Sequence, residues 1–243
     1  KSQGTDSASG NAAADASGTD TTVLVLANSA PASEDNHMYQ YCEKFKELVE
    51  EKVGVKFLSW GVNGFRHFCN NIRPVKSPED IKGLKVRTME NKIHMETFSA
   101  LGADPTPMGT GELYTALQQG TVDGMEGPLT WILPSKYNEV QKFMSLTSHF
   151  YAPSAALMNQ AKFDSLPEDV RKILEESAEE AESYQLQFCR DIDKQMAEEA
   201  AEAGMEVIPE SELDMDGFRE AVQSVYDAHP EYGDILQKIK ETE

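Results

Sequence analysis

Residues 165–204 read SLPEDVRKILEESAEEAESYQLQFCRDIDKQMAEEAAEAG, and the periodicity of this stretch decides the fold. Small or apolar side chains recur at Val170, Ile173, Ser177, Ala181, Tyr184, Phe188, Ile192, Met196 and Ala200, a three-to-four spacing that lines one face of an α-helix. Ser165-Leu166-Pro167-Glu168 has the form of a capping box, which starts the helix, and the pattern runs as far as Gly204. At 1.5 Å per residue the helix is roughly 55 Å long, well beyond the diameter of one small domain. It therefore bends or bridges two lobes. A bridging helix is what a hinged receptor needs to couple its lobes; a kinked pair of core helices is the alternative.

Working outward, Met205 to Ile208 reads as a strand, and Gly217 to Ala228 and Asp234 to Lys240 as closing helices. Towards the N-terminus the chain alternates. TTVLVLAN (Thr21–Asn28) is a β-branched, apolar run of strand length, followed by an amphipathic helix from about His37 to Lys52. Val53 to Trp60 (VGVKFLSW) is a second strand ending in a polar loop around Asn63. Ser77-Pro78-Glu79-Asp80 is another capping box, with Pro at the first helical position, and its short helix stops at Gly83. Leu84 to Thr88 alternates as a strand, Asn91 to Leu101 is helical, Pro105 to Met108 is extended, and a helix capped by Thr110 ends at Gly120. Recurrent strand–helix alternation predicts an α/β protein with at least partly parallel sheets.

With 22 basic and 42 acidic residues in 243, the formal charge of −20 excludes polyanionic partners such as nucleic acid or an anionic membrane surface. No stretch approaches the roughly 20 apolar residues of a spanning helix. Lys1 to Asp20 has no apolar side chain larger than Ala, too little to offset the entropy of ordering it. We read it as a disordered tether, of the kind that follows a lipidated cysteine in bacterial surface lipoproteins. An ordinary disordered terminus is the alternative. Cys42, Cys69 and Cys189 follow no metal spacing and read as buried thiols, with room for at most one bridge.

Enzyme chemistry finds no support in the sequence. His37, His67, His94, His149 and His229 form no H-E-x-x-H, and there is no G-x-S-x-G, phosphate-binding loop or G-x-G-x-x-G, so no cofactor or metal is expected. The acidic pairs Glu175-Glu176, Glu179-Glu180 and Glu198-Glu199 read as solvated charge on the long helix. Two arginines are different. Arg66, in NGFRHF, follows a strand, and Arg87 ends the strand in KGLKVRT, so both can face a crevice at strand ends. A guanidinium fork donates two parallel hydrogen bonds to a carboxylate and stays charged. Taken alone, each arginine reads more readily as a surface or ion-pair residue.

From Trp60 to the C-terminus, the ordered segments WGVNGFRHF, SPEDIKGLKVRT, LGADPTPM, GELYTALQQGTVDGMEGP, YNEVQKFMSLTSHF and LPEDVRKILEESAEEA resemble the TRAP solute-binding (DctP-type) family. The resemblance implies a two-lobed α/β fold like that of periplasmic binding proteins, with a long lobe-spanning helix. It implies lobe I from 21–60 and 150–185, and lobe II from 61–149 and 186–243. It also implies an extracytoplasmic, periplasmic or cell-surface receptor, lipid-anchored and with its signal peptide removed, that captures a small organic carboxylate, catalyses nothing and serves TRAP-type membrane permease subunits.

The resemblance places the paired carboxylate contact on Arg87, through G-L-K-x-R, and a second cationic contact on Arg66, through N-G-x-R. Further pocket residues fall at the turn after Asp123-Gly124. There Gly127 stands where sialic-acid-binding members have Asn, which counts against that ligand; Glu126 and Met125 stay open. Trp131 and Phe150 are expected as apolar walls, or else as core, and Asn36 and Tyr39 could reach the crevice from the other lobe. One departure stands out: Lys52 runs directly into Val53-Gly54-Val55, where the family has several further strand and helix elements, so the first lobe reads as incomplete. A ligand-sensing domain without a transport role, or a shortened remnant that binds nothing, are the alternatives.

Overall fold

A computed structural model describes residues 46, 47, 49–233 and 237. The strand expected at 21–28, the tether, Asn36, Tyr39, Cys42 and most of the closing helix 234–240 lie outside them. Of the first amphipathic helix, the described residues 46, 47 and 49–53 are helical and form α1.

Among the described residues six strands form one mixed sheet in the order β3-β2-β4-β1-β5-β6. They are β1 (Val55–Asn70), β2 (Lys85–Thr88), β3 (Asp104–Pro107), β4 (Gly124–Pro128), β5 (Phe143–Asn159) and β6 (Glu206–Ile208). β2 pairs parallel with β3 and β4, β6 pairs parallel with β5, and β1 runs antiparallel between β4 and β5. The expected break near Asn63 does not occur. β1 continues for 16 residues because it pairs with the 17-residue β5 along its length; the polar Asn63-Gly64 is absorbed as a bulge, with Gly64 at φ +88°. Arg66 is therefore within a strand rather than after one. Likewise the segment after Asp123-Gly124 is strand β4, not a turn.

Side chains alternate across the sheet, so neighbours in sequence enter different cores. One face carries Phe68, Val86 and Phe150 against α3 (Lys92–Ala100), α8 (Met215–Ala221) and α9 (Gln223–Ala228). The other carries Cys69, Met125 and Met144 against α4 (Thr110–Gln118), α5 (Leu129–Ile132) and Ala200 of α7 (Glu168–Glu202). The expected short helix α2 (Pro78–Ile81) has its capping box, with Asp80 completing it. α4 is capped by Gly109 rather than Thr110, and Gly120 takes φ +70° after it.

Two features of α7 differ from expectation. Its N-cap is Pro167 and no capping box forms, because the Ser165 hydroxyl donates to Lys162 O of the preceding helix α6 (Gln160–Asp164). More consequentially, the half of its apolar stripe before Cys189 faces outward: Ile173, Tyr184 and Phe188 are 59%, 71% and 43% exposed. The face that packs on β1 is the polar one. β4 pairs with β1 only from Arg66 onward, so that edge of β1 is open before it, and α7 supplies the missing partners: Glu182 accepts from Trp60 N (2.8 Å), and Gln185 accepts from Val62 N (2.7 Å) while donating to Val62 O. Cys189 Sγ adds a contact to Val62 O at 3.0 Å. Unmet backbone groups thus outweigh apolar patterning in choosing the buried face. The helix is a single piece of 35 residues.

Candidate ligand-binding site

Register decides where the two arginines go. Arg87 pairs with Met125 across the parallel β2–β4 ladder, so it rises on the Met125 face. Glu126 pairs with Phe68 across β4–β1, and Arg66 lies two residues from Phe68, so both rise on the opposite face. The expected convergence of Arg66 and Arg87 as two free cations does not arise.

Arg87 is 3% exposed. Its Nε and Nη2 donate to Met108 O at 3.0 and 2.8 Å, and its Cζ lies 5.8 Å from the Trp131 ring, within cation–π range. No carboxylate comes within ion-pair distance of it among the described residues. Burial pulls its pKa down and Glu126, across the sheet, pulls it back up. Guanidinium nevertheless stays charged in proteins. A buried, charged, incompletely satisfied fork is energetically costly unless an anion meets it.

Arg66, 8% exposed, is neutralised. Its Nε and Nη2 donate to the two oxygens of Glu126 at 2.5 and 2.7 Å, and Nη2 also reaches Glu126 O at 3.2 Å. Glu126 is fully buried, with His94 Nδ1 and His149 Nε2 at 3.5 and 3.4 Å from its oxygens. Burial alone would raise the Glu126 carboxyl, but Arg66 and the approach of His149 and His94 together hold it well below the ordinary carboxylate range. Burial also lowers His149, and it takes His67, with help from His149, to about 3, so both rings are neutral near pH 7. Nothing in the sequence pattern predicts this buried network. Its members sit at 66, 94, 126 and 149, and a β5 bulge places one of them: between the Phe68–Ser145 and Arg66–Phe150 pairs, β5 carries residues 146–149 opposite the single His67, with Ser148 at φ +47°. No sequence spacing announces such an arrangement.

Gly127 is buried next to Arg87's face, and Trp131 is half-buried against it on α5. Tyr137 meets the Trp131 ring edge-on with centroids 4.9 Å apart. Phe150 is 3% exposed and stacks on His94 at 4.1 Å in the opposite core, so it is a core residue there and not a wall beside Arg87. Met125 is core as well. A mostly apolar cavity does open on the Arg66 face, lined by Phe68, Thr97, Phe98 and Phe218 among others, but its cation, Arg219, is tied to Asp216 at 2.9 Å. It offers no free anchor for an anion. Among the described residues no group of His, Cys, Asp or Glu could hold a metal ion.

A helix-flanked mixed sheet with a buried cation short of a counter-charge can hold an anionic solute. Residues 25–231 match the bacterial extracellular solute-binding protein family 7 (DctP), and the chain belongs to that family. Its members are binding proteins of the periplasm, not enzymes. The chain is 37% identical over 206 residues to the 2,3-diketo-L-gulonate-binding periplasmic protein YiaO of Escherichia coli K12, covering 83% of this chain and 62% of that one. Among solved structures it resembles a TRAP periplasmic solute-binding protein from Polaromonas sp. JS666 bound to D-erythronate (TM-score 0.73, 38% identity, 81% of this chain and 63% of the other). Another, from Roseobacter denitrificans with bound L-galactonate, gives a TM-score of 0.74 at 28% identity, covering 82% of this chain and 65% of the other. These neighbours have the two-lobed α/β fold expected from the sequence. The chain spans less than two thirds of their length.

Proposed function

We propose that this chain is an extracytoplasmic receptor that holds a small organic carboxylate against Arg87 and delivers it to a TRAP-type permease. The observation that carries the reading is the Arg87 guanidinium, 3% exposed and bonded only through one edge to Met108 O among the described residues. Its remaining N–H groups suit a two-pronged contact with a carboxylate. The relatives that bind diketogulonate, erythronate and galactonate support that ligand class. In this reading Trp131 and Gly127 border the anion, whereas Arg66 and Glu126 form a neutral pair that supports the sheet beneath it. Asn36 contributes from the other lobe, and residues 1–20 serve as a tether to a lipid anchor.

Calorimetric titration with sugar acids tests the reading. Arg87→Ala abolishes binding and Arg87→Lys weakens it strongly, each with an unchanged circular dichroism spectrum; retained affinity in Arg87→Ala refutes it.

A second reading, that part of lobe I is missing between Lys52 and Val53, is favoured by the outward apolar face of Ile173, Tyr184 and Phe188. In that reading lobe I keeps 21–60 and 150–185, lobe II keeps the rest, and the remnant binds weakly or not at all. Intact mass of the native protein, compared with this sequence, decides it.

A further inference from the structure

Gly127 and Trp131 sit four residues apart where β4 passes into α5, and the indole lies directly on the bare Cα of Gly127. A Cβ placed at 127 would stand 2.6 and 2.8 Å from Trp131 Cε3 and Cζ3. Carbon atoms in contact keep about 3.5–4.0 Å, so any side chain there must expel the ring. The same ring is braced by Tyr137 at 4.9 Å and covered by the Arg87 guanidinium at 5.8 Å. Three contacts thus fix it, while its half-burial leaves part of it open beside the cation.

We propose that Trp131 is the positioning and specificity-determining residue of the anion site. It holds the plane of the Arg87 guanidinium, whose in-plane edge is already fixed by Met108 O. It also fills the volume that a side chain at 127 would take, with a rigid wall in place of a flexible polar group. A ligand docked on Arg87 must run its carbon skeleton along a flat, immovable surface. That selects narrow, acyclic hydroxycarboxylates over ring-form uronates, whose thickness needs the wall to yield. The inference rests on the receptor reading above and names the ligand class that such a receptor takes.

The test compares D-erythronate with β-D-glucuronate by calorimetry on the wild type, Trp131→Phe, Trp131→Ala and Gly127→Ala. The wild type favours erythronate by at least tenfold. Trp131→Ala moves the ratio of affinities at least tenfold towards glucuronate, with Trp131→Phe in between and available should the alanine variant fold poorly. Gly127→Ala leaves the indole in the chain but unseats it. Its backbone lies outside the left-handed region, so alanine adds no strain of its own, and its ratio moves in the same direction. A merely structural tryptophan would weaken both acids alike and leave the ratio where it was. If the wild type binds erythronate and the ratio stays within about twofold in all variants, the assignment to Trp131 is overturned and the receptor reading stands. If the wild type binds neither acid nor any other carboxylate, both fall together.

Discussion

Glu126→Gln offers the most direct test of the network under the sheet. The native carboxylate takes Nε and Nη2 of Arg66 on its two oxygens at 2.5 and 2.7 Å, with no solvent contact on the acid and little on the base. Glutamine keeps the shape but offers one acceptor, so one Arg66 N–H faces another donor and the guanidinium charge is left buried without compensation. Breaking a buried pair in this way costs about 3–5 kcal/mol. For a domain of this size each kcal/mol lowers the melting temperature by about 2–4 °C, so the variant melts about 6–20 °C below the wild type. Thermal melts at pH 7, followed by circular dichroism, measure it. Arg66→Met with Glu126→Leu is the control: removing both charges restores most of the loss, because an apolar pair of similar volume leaves nothing unsatisfied. A Glu126→Gln variant melting within about 2 °C of the wild type, or a double variant whose loss equals the sum of the two singles, refutes this account of the pair.

Two further predictions use the titrating groups. His67 is neutral in the fold, with its pKa driven to about 3 by burial and by His149, whereas in the unfolded chain it gains a proton below about 6.5. The unfolded state therefore binds more protons as pH falls from 6.5 towards 3, and this histidine's contribution to stability is lost in that window. Urea unfolding of the wild type and His67→Gln across pH 7 to 4 should give stabilities whose difference changes by about 1.4 kcal/mol per pH unit below 6.5; parallel profiles refute it. Asp193 has the opposite sign. Burial raises it to about 6, so stability is lost as pH rises through that value, and Asp193→Asn should be more stable at pH 8 by about 1–2 kcal/mol, discounted for its partial exposure, with no difference below pH 4. Equal or lower stability at pH 8 refutes it.

Local signals in the sequence predicted the elements wherever the chain's own neighbourhood decides them. Ser77 with Asp80 and the glycines at 83 and 120 all act within a few residues, and all act in the structure as their chemistry implies. Two caps differ for local reasons, at Ser165 and Thr110, but the larger differences arise where a distant partner outweighs local preference. The polar Asn63-Gly64 reads as a loop until β5 is present to carry the strand past it. The stripe from Val170 to Phe188 reads as buried until the edge of β1 that β4 leaves uncovered draws Glu182 and Gln185 inward to meet its backbone.

The same distinction separates the two arginines, which look alike in sequence. In sequence both read as cationic groups near strand ends, yet a strand assigns faces by parity and leaves the pairing register to determine which residues share one. Met125 and Glu126 are adjacent in β4 and belong to opposite cores. Arg87, in register with Met125, therefore meets the carbonyl of Met108 and the ring of Trp131, while Arg66 meets the carboxylate next door. Had β2 paired one residue further along, Arg87 would share a face with Glu126 and compete with Arg66 for its single carboxylate. The register of two short parallel strands thus separates an arginine held in a structural pair from one left free of a carboxylate partner among the described residues, and it does so through partners 38 and 60 positions away in sequence.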